Sequence, residues 1–384
     1  MCLPAVTNRI EGMERDVVDL LTRLVEIDSV NPSLVAGAAG EVEIAEFVAG
    51  WALAAGLRAE VVEETPGRPS VVVRSNRTGT GRTLLLCGHL DTVGVGGMTD
   101  PLTARVDGDR LYARGAYDMK AGLAAALVAC READRAGIGG EVVVAAVADE
   151  EHSSTGVQEV LRHVTADAAI VCEPTELTVV TAHKGFVWTE IRVVGKAAHG
   201  SRPHLGEDAI LRTGPVLVAL ERLNEELRGR EHPRLGPGTL HASLITGGRE
   251  ESTVPDLCVL TVERRTLPGE TAADVERDVA ELLASCDVRA TSRTTLARDP
   301  FETAEDHAFV GEVVAAATGA LGRPVELAGA SYWADSAFIS AAGIPTVLFG
   351  PPGDGAHAEV EWVGLEGTVE CARALVATAK GFCR

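Results

Sequence analysis

The chain has 384 residues, a length that exceeds one compact core and suits two domains or one domain with an insertion. It carries 35 Lys and Arg against 56 Asp and Glu, and the resulting net charge of −21 excludes nucleic acid and anionic membrane surfaces as partners. Hydrophobic residues make up 46% and aromatic residues 4% of the chain, which indicates a folded α/β protein rather than a disordered acidic one.

The eight cysteines are scattered singly, and none forms a Cys-x-x-Cys pair. This spacing excludes a thiolate zinc finger and a thioredoxin-type motif, and it predicts reduced thiols. Residues 1–15 contain charges in place of the apolar core of a secretion signal, and no run of about 18 apolar residues occurs in the chain. The sequence therefore predicts a soluble, cytoplasmic protein.

The first half of the chain alternates helical patterns with short apolar runs. The predicted elements are helices over 16–30 and 40–56, strands at 70–74, 83–87, 141–147 and 168–172, and a helix over 119–136. Strands separated by helices in this way need crossover connections. We therefore expect an α/β fold with a mainly parallel sheet.

The pattern changes near residue 181, where alternating polar and apolar runs begin. The predicted elements of this stretch are strands at 186–195, 239–246 and 257–265 and helices over 207–228 and 271–285. After it, the α/β pattern resumes with a helix over 305–321, a strand at 345–349 and a helix near 365–381. We expect an α/β domain of residues 1–180 and 295–384, interrupted by a smaller α+β domain of residues 181–294.

Residue types that bind metals follow the predicted strands. His89 and Asp91 come directly after the second strand, and their spacing puts both side chains on one side of an extended chain. This arrangement suits a metal-binding histidine oriented by a carboxylate, and it also suits a His–Asp pair that caps a loop. Asp118 stands directly before a helix, where an N-cap is the ordinary role and a metal ligand is the alternative.

Further acids stand at the later strand ends. Asp149, Glu150 and Glu151 follow the third strand, and such a run beside a buried strand repels itself unless cations neutralise it. Glu173 follows the fourth strand, and a glycine-rich loop carries His357. Ligands bind at this edge of open α/β sheets, and two divalent ions that share one carboxylate would account for the whole set.

Together these motifs resemble the M20 family of metallopeptidases and amidohydrolases, which contains acetylornithine deacetylase, succinyl-diaminopimelate desuccinylase, aminoacylase and glutamate carboxypeptidase. The resemblance runs from IDSVNPS near residue 27 to the loop after His357. It rests on His89-x-Asp91, Asp118-Met119-Lys120, Glu150-Glu151, Glu173-Pro174-Thr175 and His357. It implies an α/β catalytic domain with a dinuclear zinc site and a smaller α+β lid domain through which the protein dimerises.

The resemblance also implies a role for each position of the motifs. The implied metal ligands are Asp118 for both ions, His89 and Glu173 for one ion, and Glu151 and His357 for the other. Asp91 would orient His89. Glu150 would be the general base that activates a metal-bridging water.

Three residues of the inserted domain are candidates on the same grounds. The segment GKAAHGSRPHLGEDA is similar to one whose histidine reaches the active site of the other subunit, which makes His199 a catalytic candidate in a homodimer. VERRTLPGE resembles an acid-x-Arg-x-x-Pro run, so Arg265 is a candidate for binding a substrate carboxylate. Ser252 stands where many relatives have Asn and is a candidate substrate contact.

The implied activity is metal-dependent hydrolysis of the amide bond of an N-acyl amino acid, as in acetylornithine deacetylase. A desuccinylase, carboxypeptidase or dipeptidase of the same family is the alternative within this chemistry, and a short peptide would then be the substrate. A non-catalytic, metal-dependent binding protein is the alternative of another class, against which the intact Glu150 argues. Carboxylates and imidazoles without a thiolate fit Zn²⁺ and also Co²⁺ or Mn²⁺.

Overall fold

The computed structural model describes residues 12–384, so most of the segment examined for a secretion signal, with Cys2, lies outside the described residues. The chain divides into two compact units. The first contains the chain up to Thr181 together with Thr303–Ala328 and Ala334–Arg384, and the second contains Ala182–Glu302 and Gly329–Trp333.

The helices are α1 (Met13–Val25), α2 (Val42–Ala54), α3 (Ala121–Arg135), α4 (Thr155–Val160), α5 (Ala209–Leu227), α6 (Ala272–Ser285), α7 (Ala308–Leu321), α8 (Ser336–Ala341) and α9 (Leu365–Phe382). The strands are β1 (Arg58–Val62), β2 (Ser70–Arg74), β3 (Thr83–His89), β4 (Arg105–Asp107), β5 (Arg110–Tyr112), β6 (Glu141–Val147), β7 (Ala168–Val171), β8 (Val179–His183), β9 (Gly185–Val194), β10 (Ala198–His199), β11 (Glu231–His232), β12 (Gly236–Pro237), β13 (Thr239–Gly247), β14 (Thr253–Val254), β15 (Leu257–Thr266), β16 (Ala290–Arg298), β17 (Phe301–Glu302), β18 (Leu327–Ala330), β19 (Thr346–Leu348), β20 (Gly353–Asp354) and β21 (Trp362–Gly364). Within residues 12–384, no helix has both the length and the apolar character that a membrane crossing requires.

The first unit is built on a sheet with the strand order β1-β2-β6-β3-β7-β19-β8. The four central strands β6, β3, β7 and β19 run parallel to one another, which confirms the predicted α/β class. The outer strands differ from the mainly parallel arrangement expected from the sequence. β1 and β2 form an antiparallel pair across a short connection, β2 is antiparallel to β6, and β8 is antiparallel to β19.

The central strands are buried on both faces, which explains their uninterrupted apolar runs. Alternate residues such as Leu84 and Leu86 join one large apolar cluster with α1, α2, α3, α7 and α9. The intervening residues, such as Leu85 and Val143, are also buried. α4 packs against β6, and α8 packs against β19. The sheet is therefore a rigid layer whose carboxyl edge carries the loops described below.

The second unit is an antiparallel sheet of order β13-β15-β9-β16 with α5 and α6 on one face. Apolar residues of β9 and β15 alternate with exposed or half-buried ones, as expected for a sheet covered on one face. This unit continues to Glu302, whereas the sequence pattern predicts its end at residue 294. The difference arises because β16 pairs with β9 and belongs to this sheet.

One glycine allows α3 to approach the end of β7 closely. A Cβ atom on Gly122 would lie 1.9 Å from the backbone oxygen of Cys172, which is far inside van der Waals contact. A backbone atom cannot turn aside as a flexible side chain does. The position therefore requires glycine, although glycine weakens a helix.

We expect Gly122→Ala to lower the free energy of unfolding by roughly 2–3 kcal/mol or more, because overpacking against backbone displaces the helix or the strand end. Gly50 of α2 is the matched control, since a Cβ there meets no atom within 4 Å. Gly50→Ala should raise stability by about 0.5–1 kcal/mol. Urea denaturation of both variants tests this, and similar stabilities for the two would contradict the close approach.

Candidate metal centre

The carboxyl ends of the four parallel strands bring most of the candidate residues together. His89 ends β3, residues 149–151 follow β6, and Glu173 follows β7 at a distance of two residues. His357 lies further along the chain from β19, between β20 and β21. Because these strands are neighbours in the sheet, their following residues converge at one edge.

Asp118 lies between the two histidines. Its Oδ1 atom is 3.2 Å from Nε2 of His89, and its Oδ2 atom is 3.2 Å from Nε2 of His357. The residue has an extended backbone within the short helical turn Ala116–Lys120 that precedes α3. It is therefore not the N-cap of α3, and its two oxygens face two different imidazoles.

Among residues 12–384, two groups of side chains could each hold a metal ion, and both groups contain His89. In each group the atoms lie within 4.8 Å of one another. The groups are His89, Asp118 and Glu151, and His89, Glu150 and Glu173. Nε2 of His357 is also 3.1 Å from Oε2 of Glu151. The structure thus brings all the predicted ligands and Glu150 into one cluster.

Asp91 contacts this cluster in a different way from the one expected. Its backbone oxygen, at 2.8 Å, faces Nδ1 of His89, whereas its Oδ1 atom is 3.8 Å away. The carboxylate instead accepts hydrogen bonds from the backbone N–H groups of Glu150 and Glu151 and from Asn31 Nδ2. Asp91 therefore orients the imidazole through its backbone and fixes the loop of the two glutamates through its side chain.

A buried polar network supports the loop of residues 149–151. Asn31 donates to both Asp91 and Asp149. Arg68 forms ion pairs with Glu41 and with Asp149, and the Asp149 contact is 3.0 Å long. Because these side chains are almost fully buried, each charge needs the others as partners. The network fixes the backbone from which Glu150 and Glu151 extend.

Burial and mutual repulsion dominate the electrostatics of the glutamates. Burial raises the pKa of Glu150 and of Glu173 well above the ordinary value. Glu173 raises the pKa of Glu150 further, and Asp118 and Glu151 raise that of Glu173. Buried Asp335 acts on both in the same direction. The pKa of Glu151 is raised by burial and by Asp118. Several carboxylates in one desolvated place are the arrangement that divalent cations stabilise.

In the histidines, the neighbouring carboxylates outweigh burial and favour the charged form. Burial would lower the pKa of His89, but Asp118, Glu173 and Glu150 raise it well above the ordinary value. Hydrogen bonds to Asp118 and Glu151 raise the pKa of His357 to about 10. Burial would raise the pKa of Asp118, yet the two histidines hold it well below its usual range. Cation binding at these imidazoles would therefore release protons.

One orphaned oxygen tests whether a metal fits. Oε1 of Glu151 is buried and has no hydrogen-bond partner among residues 12–384, while Oε2 faces His357. An unpaired buried carboxylate oxygen is costly, and a metal ion is a partner that removes this cost. Imidazole and carboxylate donors also match the preferences of Zn²⁺, Co²⁺ and Mn²⁺. The residues present therefore fit a divalent cation.

In the second unit, His199 and Ser252 lie side by side. β10 pairs with β14, so that His199 is opposite Thr253, and the N–H of Gly200 donates to the backbone oxygen of Ser252 at 2.6 Å. His199 is exposed, and its Nδ1 atom lies 2.8 Å from Oγ of Ser201. An exposed imidazole with one nitrogen engaged leaves Nε2 as the atom that can reach a substrate.

Arg265 lies on β15 of the same unit, and its Nε atom donates to Glu263 at 2.7 Å. Its guanidinium also lies 5.3 Å from the centre of the Phe186 ring. The side chain is about one third exposed, at 33%. A substrate carboxylate would have to compete with Glu263 for this guanidinium.

Several residues that shape the centre were not identified from the sequence. Arg68 and Glu361 are buried charged residues outside every predicted strand and helix, and buried Glu41 stands at the start of the predicted helix over 40–56, so no hydrophobic period reveals their burial. Asn31 directly follows the predicted helix over 16–30, and that position does not by itself indicate its contacts with Asp91 and Asp149. The one signal for Asn31 was its place in the segment IDSVNPS, where the family resemblance begins. Glu361 had no such signal, because the sequence does not distinguish it from nearby Glu359, which is exposed.

The fold and the cluster define a class of protein: an α/β enzyme whose sheet edge can bind divalent cations for hydrolysis. The model of Peptidase family M20/M25/M40 matches residues 85–381 of the chain. The chain belongs to this family, and this membership makes it a metal-dependent amide hydrolase.

Comparison with individual proteins agrees with this assignment. Acetylornithine deacetylase from Myxococcus xanthus is 33% identical over 336 residues, which cover 82% of this chain and 84% of the relative. Aminopeptidase PepT from Bacillus cereus has a TM-score of 0.80 at 20% identity, and the match covers 97% of this chain and 100% of that one. The YXEP protein of Bacillus subtilis, a dinuclear metal-binding peptidase of the M20 family, has a TM-score of 0.74 at 15% identity, with 96% and 98% of the two chains covered. These structures share the fold.

We expect Zn²⁺, Co²⁺ or Mn²⁺ to raise the melting temperature of chelator-treated protein, because a cation relieves the repulsion among the buried carboxylates. At about 1,000 times Kd the gain corresponds to roughly 4 kcal/mol. The gain should shrink in more acidic buffer, since the cation competes with protons at His89 and His357. Differential scanning calorimetry with and without metal measures it.

Asp118→Asn should remove most of this response. His163→Ala is the control, because exposed His163 pairs with Glu64 in a separate surface ion pair and should leave the response intact. An equal metal-induced shift in wild type and Asp118→Asn would show that the cations bind elsewhere.

Proposed function

We propose that this protein hydrolyses the amide bond of an N-acyl amino acid and uses two divalent cations, zinc in the first place and cobalt or manganese as substitutes. The preferred reaction is deacetylation like that of acetylornithine deacetylase. Family membership and a relative of that name that covers four fifths of the chain support the proposal. The acyl group and the amino-acid side chain are the variables that the experiments below address.

The observation that carries the proposal is the position of Asp118 between His89 and His357. A carboxylate with one oxygen directed to each of two imidazoles is suited to share two cations. We assign His89, Asp118 and Glu173 to one cation, and Asp118, Glu151 and His357 to the other.

Bound cations would lower the pKa of a coordinated water and polarise the substrate carbonyl. Glu150 lies within the cluster but is not needed as a ligand, so its carboxylate is available to take the proton of the attacking water. The same carboxylate then gives the proton to the departing amine. Asp91 supports this step, because its side chain fixes the backbone N–H of Glu150.

We also propose roles for three residues of the inserted unit. His199 would donate a hydrogen bond to the developing oxyanion, and such donors contribute about 10²–10³ in rate. Ser252, which is held next to Gly200, would contact the substrate. Arg265 would bind the substrate carboxylate, because a guanidinium matches two carboxylate oxygens.

We further propose that two copies of the chain associate through the inserted unit. β13 is an edge strand, and its Leu244 and Ile245 are 67% and 57% exposed. Leu211 of α5, the helix that packs on β13, is 76% exposed. Edge-to-edge pairing of β13 with a second copy would satisfy its unpaired backbone and cover these side chains.

The proposed surroundings are the cytoplasm, without a nucleic-acid or membrane partner. The seven described cysteines are all free, which is typical of a reducing compartment. The net charge of −21 repels phosphate backbones and anionic lipids.

We expect Glu150→Gln to lower kcat by about 10²–10⁴-fold while metal content stays at the wild-type level, because the side-chain amide of glutamine cannot take a proton from the attacking water. The assay is release of amine from N-acetyl, N-succinyl and N-formyl amino acids and from dipeptides with added Zn²⁺ or Co²⁺. Metal content is measured on the same samples by mass spectrometry.

Glu43→Gln, at an exposed position in the first turn of α2, is the control and should keep wild-type activity. Substantial turnover by Glu150→Gln would show that another group is the base. Fastest turnover of a succinyl substrate or a dipeptide would favour a desuccinylase or a dipeptidase, and metal binding without turnover of any substrate would favour a binding protein.

We expect His199→Ala to lose activity without losing metal, and we expect mixing it with Asp118→Asn to restore about a quarter of wild-type activity. Half of the dimers would then be mixed, and each would contain one complete site. The measurement is turnover of the best substrate after the two inactive variants are exchanged into mixed dimers.

Leu244→Glu in both chains should prevent this rescue, because it places charges in the proposed contact. Val61→Glu is its control, since Val61 is a similarly exposed residue on the edge strand β1 of the other unit. Failure of rescue in dimers that demonstrably exchange would mean that His199 does not act on the partner's site.

A further inference from the structure

Glu361 lies beside the candidate metal centre, is 1% exposed and has no part in the chemistry proposed above. Its Oε2 atom accepts hydrogen bonds from Nη1 of Arg114 at 2.7 Å and from the N–H of Gly115 at 3.0 Å. Its Oε1 atom accepts from the N–H groups of Tyr117 at 2.9 Å and Asp118 at 3.1 Å. One buried carboxylate thus binds four donors of a single chain segment.

The segment that carries Asp118 depends on this carboxylate. Asp118 and Met119 have non-helical backbone angles, so the turn lacks the regular hydrogen bonds of a helix. The N–H groups at positions 115, 117 and 118 find their acceptor in Glu361 instead. Buried N–H groups without an acceptor are costly, so removal of the carboxylate would let the turn rearrange.

The other end of the same ion pair holds the loop of His357. Nη2 of Arg114 donates to the backbone oxygen of Ala358 at 3.0 Å, while Nη1 holds Glu361. The pairing of Trp362 with Tyr112 between β21 and β5 sets this register. The Arg114–Glu361 pair therefore connects two segments of the chain that are 247 residues apart.

We propose that Glu361, together with Arg114, is a positioning residue that sets the separation of Asp118 and His357 for cation binding. This role rests on the function proposed above, because it takes Asp118 and His357 as ligands. Glu361 acts through the backbone of Asp118 and through Arg114, and it touches neither substrate nor metal. A fork-shaped guanidinium is required, since one nitrogen binds the carboxylate and the other binds the loop.

The test is Co²⁺ binding to the full-length protein, followed by the visible absorption spectrum of the cobalt and by calorimetric titration. Glu361→Gln retains the size of the side chain but replaces one acceptor oxygen by a donor that faces N–H groups. We expect its Co²⁺ affinity to fall by about 10–100-fold and its cobalt spectrum to change, as for other residues that orient metal ligands. Wild-type affinity and an unchanged spectrum in this variant would overturn the proposal.

Arg114→Lys provides a second, milder variant, which decides the question if Glu361→Gln does not fold. Lysine keeps a positive charge beside Glu361 but lacks the second arm to Ala358, so the cobalt site that contains His357 should lose affinity. Equal affinities of both sites in Arg114→Lys and wild type would also overturn the proposal.

Glu159→Gln is the matched control. Glu159 is buried, at 4% exposure, and its carboxylate accepts hydrogen bonds from the N–H of Glu64 and from Thr65, away from the centre. The Glu159→Gln variant should be less stable than wild type, but its cobalt affinity and cobalt spectrum should not change. A wild-type chain that binds no Co²⁺ would refute both the proposed function and this inference, whereas normal binding by wild type and Glu361→Gln would refute the inference alone.

Discussion

Repulsion among buried carboxylates at the carboxyl edge of the sheet is the constraint on which this structure depends. Glu150, Glu151 and Glu173 extend from neighbouring strand ends into one desolvated place, with Asp118 between two histidines. Each of these acids alone would favour a protonated or solvated state. A rigid parallel sheet, covered on both faces, keeps them together in spite of this cost and makes the edge a place where cations are the natural partners.

Two buried arginine–glutamate pairs fix the loops at this edge. Arg68 and Glu41 both contact Asp149, in the loop that carries Glu150. Arg114 and Glu361 connect the segments next to Asp118 and His357. Buried ion pairs add little net stability compared with apolar side chains of similar size, so stability does not explain their presence. Their hydrogen bonds go to loop backbone and to the side chains that support it. They specify where irregular loops lie, a task for which apolar packing is poorly suited.

The sequence was sufficient for the regular elements and for the residues that bear the chemistry. The central strands are predicted correctly because uninterrupted apolar runs such as TLLLC indicate buried strands. His89 and Glu173 are easy to identify as candidates because each follows such a run. The antiparallel outer strands were not foreseen, because an apolar run does not reveal the direction of its neighbour. Glu361 and Arg68 were missed because their burial comes from tertiary hydrogen bonds. Asp91 was identified, but its backbone oxygen rather than its carboxylate faces His89, and its carboxylate binds the N–H of Glu150 instead.

The order of the cluster along the chain has a consequence for how the protein is made. His89, Asp118, Glu151 and Glu173 leave the ribosome before the inserted unit, whereas His357 and Glu361 follow it near the carboxyl end. A nascent chain therefore carries the acids for some time without the loop and the carboxylate that complete their surroundings. Domains generally fold as units during synthesis, but this one has to wait for its last segment. The proposed metal centre is accordingly completed only late in synthesis, and a chain truncated before residue 357 would lack part of it.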